Sequence, residues 1–260
     1  MGRSIISRRA LWFTPIALLL GACSDMGPSH PVSLSVTTKS ASTTAPQGAP
    51  RVSGDIVVGT GANSLTISKV QIVLADIELS PGGTCSTTDE NDDCEELEAA
   101  PALVDLPVDG STLVILDGAV PPGTYSAFEA KLDAVSANDE EQGASAFLTA
   151  HPDFAGISVQ VTGVFTDANN QTHSFTFTSE ADAEIEAAFQ TPVTVGAGTS
   201  NLTINVDVAS WFKDASGGVI DPTNTANTAA IEENIRRSFN AFEDDNHDGE
   251  DDHQEQNGGH

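Results

Sequence analysis

Between residues 51 and 213, apolar side chains recur at every second position in short runs separated by turn residues. Leu65-Thr66-Ile67 alternates, and so does Val70-Gln71-Ile72-Val73-Leu74. Ile77 and Leu79 then fall one position out of phase, which calls for a bulge or kink near Ala75-Asp76. Further strand candidates are 102–106, 112–116, 124–134, 157–165, 173–178, 183–189 and 202–208. Asp167-Ala168-Asn169-Asn170 joins two alternating runs and reads as a hairpin turn. A strand sends successive side chains to opposite faces, so alternation of this kind implies sheets with one buried face. Many short strands with regular turns favour an all-β sandwich or barrel. No long helical period interrupts them, which argues against βαβ architecture. The expected fold is all-β: an antiparallel β-sandwich over 51–214, then a linker and amphipathic helix over 215–243, then an acidic tail over 244–260.

The helix is expected at 226–243. Ile231, Ile235, Phe239 and Phe242 fall at i, i+4, i+8 and i+11 on one face, with Glu232, Glu233, Arg236 and Arg237 opposite. Such a helix packs on the sandwich or offers its apolar face to a partner. Trp211-Phe212 likewise reads as core or as an exposed platform.

The first segment is an address. Arg3, Arg8 and Arg9 precede the apolar run ALWFTPIALLLGA at 10–22. A spanning helix needs about 20 apolar residues, so this run reads as a secretory signal covering 1–22. Leu20-Gly21-Ala22-Cys23 resembles the bacterial lipobox, which implies cleavage before Cys23 and acylation of its thiol. The partner this implies is the lipid bilayer. Three acyl chains, at ~0.8 kcal/mol per buried CH₂, would hold the protein there. Ser24 follows with no Asp beside it, which resembles the outer-membrane sorting pattern of Gram-negative lipoproteins. Residues 24–50 are dominated by Ser, Thr, Ala, Pro and Gly. We expect 23–50 to be a disordered tether spanning about 30 Å, although Val32-Ser33-Leu34-Ser35-Val36 alternates briefly like a strand.

Charge argues against two classes of partner. The chain carries 38 Asp and Glu against 10 Lys and Arg, a formal net charge of −28. Phosphate binding runs on Lys and Arg, so nucleic acid is not expected, and neither is an anionic membrane surface as a direct partner. A protein or glycan partner is not specified by anything in the sequence.

Pro121-Pro122-Gly123-Thr124-Tyr125 enters an alternating run. It resembles the strand entry of prealbumin-like sandwiches, including carboxypeptidase regulatory-like domains. The stretch from VQIVLADIELS through LVDL to VPPGTYSAFEAKLDAV is similar to a bacterial lipoprotein family of unknown function. The resemblance covers 65–135 best, implies the fold, and brings no catalytic residues with it.

With Cys23 assigned to lipid, Cys85 and Cys94 remain, in a Gly-rich and acid-rich loop. Export places them in an oxidising compartment, where an even pair in one loop reads as a disulfide. Closing that loop would add ~2.7 kcal/mol on the chain-entropy estimate. A metal-binding thiol pair is the competing reading.

The most specific chemical signal is Asp244-Asp245-Asn246-His247-Asp248-Gly249-Glu250-Asp251-Asp252-His253-Gln254-Glu255. Counting from Asp244, oxygen ligands fall at positions 1, 3, 5, 9 and 12, namely Asp244, Asn246, Asp248, Asp252 and Glu255. Gly249 stands where the loop must turn sharply, and Glu250 would offer its backbone carbonyl. Ca²⁺ takes six to eight oxygens, and alternate side chains on a curled loop can supply them. The pattern is that of an EF-hand loop and equally resembles dockerin-type calcium repeats. It departs from a paired EF-hand: Asp251 takes the usual apolar position and no exiting helix follows. A lone calcium loop, with affinity in the ~10⁻⁴–10⁻³ M extracellular range, stands beside a solvated acidic tail.

His151 and His173 belong to no recognisable nucleophile motif, so an enzyme is not expected. The reading is a lipid-anchored, non-enzymatic binding or structural module of the bacterial envelope, sorted to the outer membrane, with Ca²⁺ as its ligand. The alternative is a metal-buffering lipoprotein using His247, His253, His260 and the tail acids.

Overall fold

The computed structural model describes residues 30–38, 54–81, 99–120, 123–139, 142–195, 200–244 and 246–250. Among these residues the strands form two sheets in a sandwich-like arrangement. The larger runs β8-β7-β3-β6-β9, with β2 and β4 also on β3. Its members are β2 (Ile56–Val58), β3 (Ser64–Pro81), β4 (Ala102–Leu106), β6 (Gly123–Leu132), β7 (Val159–Thr166), β8 (Thr172–Ser179) and β9 (Ala183–Val195). The smaller runs β11-β10-β1-β5. It contains β1 (His30–Thr37), β5 (Thr112–Val120), β10 (Ser200–Val206) and β11 (Phe239–Glu243).

The long strand β3 organises the larger sheet. Leu65 and Ile67, then Val70, Ile72 and Leu74, then Ile77 and Leu79 all lie in one core. Each change of phase coincides with a register shift, between Ile67 and Lys69 against β7 and between Ala75 and Glu78 against β6. At the second, Asp76 has φ +44. An extra residue at each bulge restores the inward face that strict alternation would lose. Gly163 on β7 lies so close to β3 that a Cβ there would meet the Thr66 carbonyl oxygen at 2.3 Å. The hairpin of β7 and β8 is as expected: Asp167 Oδ1 accepts from the Asn169 and Gln171 N–H groups at 2.8 Å each, and Asn170 supplies φ +60.

Helices close the core. Trp211, ending α2 (Val208–Trp211), and the adjacent Phe212 are fully buried, so they are core and not a platform. Phe212 meets Phe175 and Phe177 edge-on at 6.2 and 6.1 Å, contacts worth about 0.5–1.5 kcal/mol each beyond burial. On the other face of β3, Val73 packs with Val135 and with Ala144 and Phe147 of α1 (Ala144–Ala150) in a second, smaller core.

Three expectations need correction. The smaller sheet is mixed, because β1 is antiparallel to β5 but parallel to β10. The tether assigned to 23–50 contains β1, a strand hydrogen-bonded on both sides. Leu34 and Val36 enter the main core. Ser33, Ser35 and Thr37 are buried as well, so a composition that reads as linker is here the middle of a sheet.

The third correction is the helix expected at 226–243. It is α3 (Thr228–Arg236), with Ile231 and Ile235 fully buried, each worth about 1.5–3 kcal/mol. The chain then becomes β11, paired antiparallel to β10 from Val206↔Phe239 to Leu202↔Glu243. Ser238 ends the helix: its Oγ donates to the Ile235 carbonyl at 2.7 Å and accepts from Trp211 Nε1 at 2.6 Å. Beyond it, Ser, Phe and Asn are mediocre helix formers, and the edge of β10 offers the backbone a ladder. Phe239 and Phe242 match a helical spacing without being helical.

Candidate functional site: the Asp244 loop

β11 delivers the chain to Asp244, whose side chain is fully buried. Its backbone is fixed to β10: the Asp244 N–H donates to the Asn201 carbonyl at 3.0 Å, and Asn201 Nδ2 donates to the Asp244 carbonyl at 2.7 Å. An isolated buried carboxylate is costly unless donors surround it. Here Thr203 Oγ1 and the Gly249 N–H donate to Oδ2 at 2.8 and 2.9 Å, and the Asp248 N–H donates to Oδ1 at 2.9 Å.

Those bonds curl the chain. Asn246 Oδ1 also accepts from the Asp248 N–H at 2.8 Å, and Asp248 Oδ1 accepts from the Glu250 N–H at 2.8 Å. Oxygens at the first, third and fifth loop positions therefore each take a backbone donor further along. The curl needs left-handed backbone at His247 (φ +59) and Gly249 (φ +78). Glycine is at home there, whereas other residues are strained.

The loop is joined to a network that the sequence pattern did not reveal. Asn201 Oδ1 accepts from Ser33 Oγ at 2.8 Å and Ser35 Oγ at 2.9 Å. Asn201 Nδ2 also donates to Thr203 Oγ1 at 3.2 Å. Ser33 faces Asn201 and Ser35 faces Thr203 across the parallel ladder. Asn201, Thr203 and the two serines are all buried. Buried polar groups are expected to find partners, and the only sequence signal for this set was the serine alternation in β1.

Of the expected ligands, Asp244 is buried, and Asn246, Asp248 and Glu250 lie on the exposed loop. Asp252 and Glu255 lie outside the described residues, as do His253 and His260, the signal segment, Cys23, Cys85 and Cys94. Among the described residues no three His, Cys, Asp or Glu side chains converge closely enough to hold a metal ion. The side chains at the first, third and fifth loop positions carry carboxylate and amide oxygens, the donor type a hard cation such as Ca²⁺ takes.

A second acid-rich place lies on the outer face of the larger sheet. Asp76, Glu78, Glu129, Glu184 and Glu186 line a depression of about 260 Å³ around Lys131. Lys131 Nζ bonds Asp76 Oδ2 at 2.6 Å. That hydrogen bond, and then the charges of Asp76, Glu184 and Glu78, raise the lysine above its ordinary value.

Elsewhere, His173 Nε2 lies 3.2 Å from Asp167 Oδ2 at the hairpin end, and the His151 ring lies 5.1 Å from that of Phe147, tilted by 49°. No described helix is long and apolar enough to cross a membrane. Compared with family models, with curated proteins and with solved structures, the chain has no match.

Proposed function

We propose that the chain is an exported bacterial lipoprotein, acylated at Cys23 and held at the outer membrane. Its sandwich is a non-enzymatic binding or structural module that takes Ca²⁺ weakly at the loop opening with Asp244. The resemblance to a lipoprotein family of unknown function belongs to this reading, as does a Cys85–Cys94 disulfide.

The observation that carries the calcium reading is the curl itself. Asp244, Asn246 and Asp248 each lend an oxygen to a later backbone N–H, and Gly249 turns with φ +78 where the EF-hand spacing needs its glycine. Asp252 and Glu255 would complete the ligand set.

Thermal unfolding in a calcium titration tests it. At a dissociation constant of ~10⁻³ M, a tenfold excess of calcium adds about 1.4 kcal/mol. In a domain of this size that raises Tm by roughly 3–5 °C. Asp248→Ala keeps the buried Asp244 and should abolish the rise. A Tm indifferent to calcium defeats the calcium reading; tight zinc or copper binding in the same assay favours metal buffering by the His-containing tail.

A further inference from the structure

We propose that the sandwich meets the bilayer end-on, with the Asp244 loop at the lipid surface. This inference rests on acylation of Cys23, and it follows from where β1 sits.

Cys23 is seven residues before His30, the first residue of β1. Even fully extended, seven residues span at most ~25 Å. The folded body therefore starts within that distance of the anchor, and not beyond a tether ending at Pro50. β1 cannot slip outward to lengthen the reach. It is laddered between β10 and β5, and Ser33 and Ser35 are tied to Asn201.

The register identifies which end of the sandwich this is. His30 pairs with Val120, the last residue of β5. Val32 pairs with Ser200, the first residue of β10, while Glu243, the last of β11, pairs with Leu202, itself opposite Leu34, so β11 runs towards the His30 end and stops about 13 Å short of it. β11 lies two strands from β1, or about 10 Å at the usual strand spacing. Asp244 follows Glu243 directly and shares Asn201 with the anchored strand. The far end is equally defined: Thr37 pairs with Thr112, just after the exposed turn at Asp109. At 3.3 Å per residue, β1 separates the two ends by about 25 Å. The end presented to lipid is thus the one towards which the Asp244 loop is directed, held there by the short anchor and not by charge, and its partner is a bilayer headgroup layer.

The test uses the full acylated protein in vesicles of phosphatidylethanolamine and phosphatidylglycerol. One variant carries Glu250→benzoylphenylalanine and the other Asp109→benzoylphenylalanine, both at exposed positions. Because position 250 follows β11 on the anchored half of the sheet and position 109 precedes the far end of β1, we expect several-fold more photo-crosslinked lipid at position 250. Equal yields, or more at 109, overturn the orientation while leaving lipidation intact. Protein that fails to float with the vesicles, or that lacks acyl mass on Cys23, refutes the lipoprotein reading and the orientation with it. A long Gly-Ser spacer between Ser29 and His30 should bring the ratio towards one; a ratio that survives the spacer overturns the short tether as its cause.

Discussion

The Asp244 loop and the depression around Lys131 are both crowded with carboxylates, and they handle the charge in opposite ways. In the loop the key carboxylate is buried and is met by two backbone N–H groups and a threonine hydroxyl. Around Lys131 the carboxylates stay on a sheet surface, where the ammonium bonds Asp76 and also feels the charges of Glu184 and Glu78. Glu129 there stands directly between Glu78 and Glu186 on neighbouring strands, an arrangement of like charges that weakens a sheet. Charge density alone therefore does not distinguish the two places. Backbone organisation does: in the loop, oxygens of Asp244, Asn246 and Asp248 are held by N–H groups of the turn itself, whereas in the depression the Lys131 ammonium holds Asp76 and the Ser80 hydroxyl holds Glu129.

The largest effect should come from Asp244→Ala. It leaves the Thr203 hydroxyl and the Gly249 N–H without their acceptor in a buried place, while the Asp248 N–H keeps Asn246 Oδ1. At ~1–3 kcal/mol per unsatisfied buried group, urea unfolding should show a loss of about 3–5 kcal/mol. Glu186→Ala in the depression should be neutral or slightly stabilising, because it relieves a like-charge pair worth a few tenths of a kcal/mol at roughly 0.2–1 kcal/mol per cross-strand pair. Equal losses at the two sites would erase the contrast.

Next in size is Asn201→Ala, which strands the Ser33 and Ser35 hydroxyls, whereas the Asp244 carbonyl keeps the His247 N–H. A loss of about 2–3 kcal/mol is expected. It should not add fully to Asp244→Ala, since the two residues share one network. Strict additivity in the double mutant would mean that the anchored strand and the loop are energetically separate.

Smallest is Lys131→Met. Exposed ion pairs are worth about 0.2–1 kcal/mol, and this one is half-exposed on both sides. Because the folded-state pKa is raised above 10.5, the contribution is complete below that ordinary value and is lost as pH rises through the raised one. The stability gap between wild type and mutant should therefore close in alkaline solution; a gap that widens there would assign the lysine some other role.

How much of this is legible in the sequence depends on how local each cause is. The hairpin at Asp167–Asn170 and the kink at Asp76 follow from turn chemistry and from a phase change between neighbours. The first bulge of β3, at Ser68, leaves the same mark in the step from Ile67 to Val70. β1 resisted reading because its partners come from β5 and β10, far along the chain, and its serines become interior only once Asn201 receives them. The helix was over-extended because i, i+4, i+8, i+11 records spacing and not the edge of β10 that captures 239–243. Asp244 was legible as a possible ligand. Its buried hydroxyl and amide partners were not, since Thr203 lies 41 residues away.

The sequence by itself determined the strand-rich class, the main turns, the kinked long strand and the curled acidic loop spacing, because alternation and turn residues act within a few positions. Only the tertiary structure decided that the stretch before Lys39 is a central strand, that β11 replaces half a helix, and that Asp244 is sealed against Asn201. Those outcomes depend on which distant backbone edge and which buried polar group lack a partner, and that is fixed only when the two sheets come together.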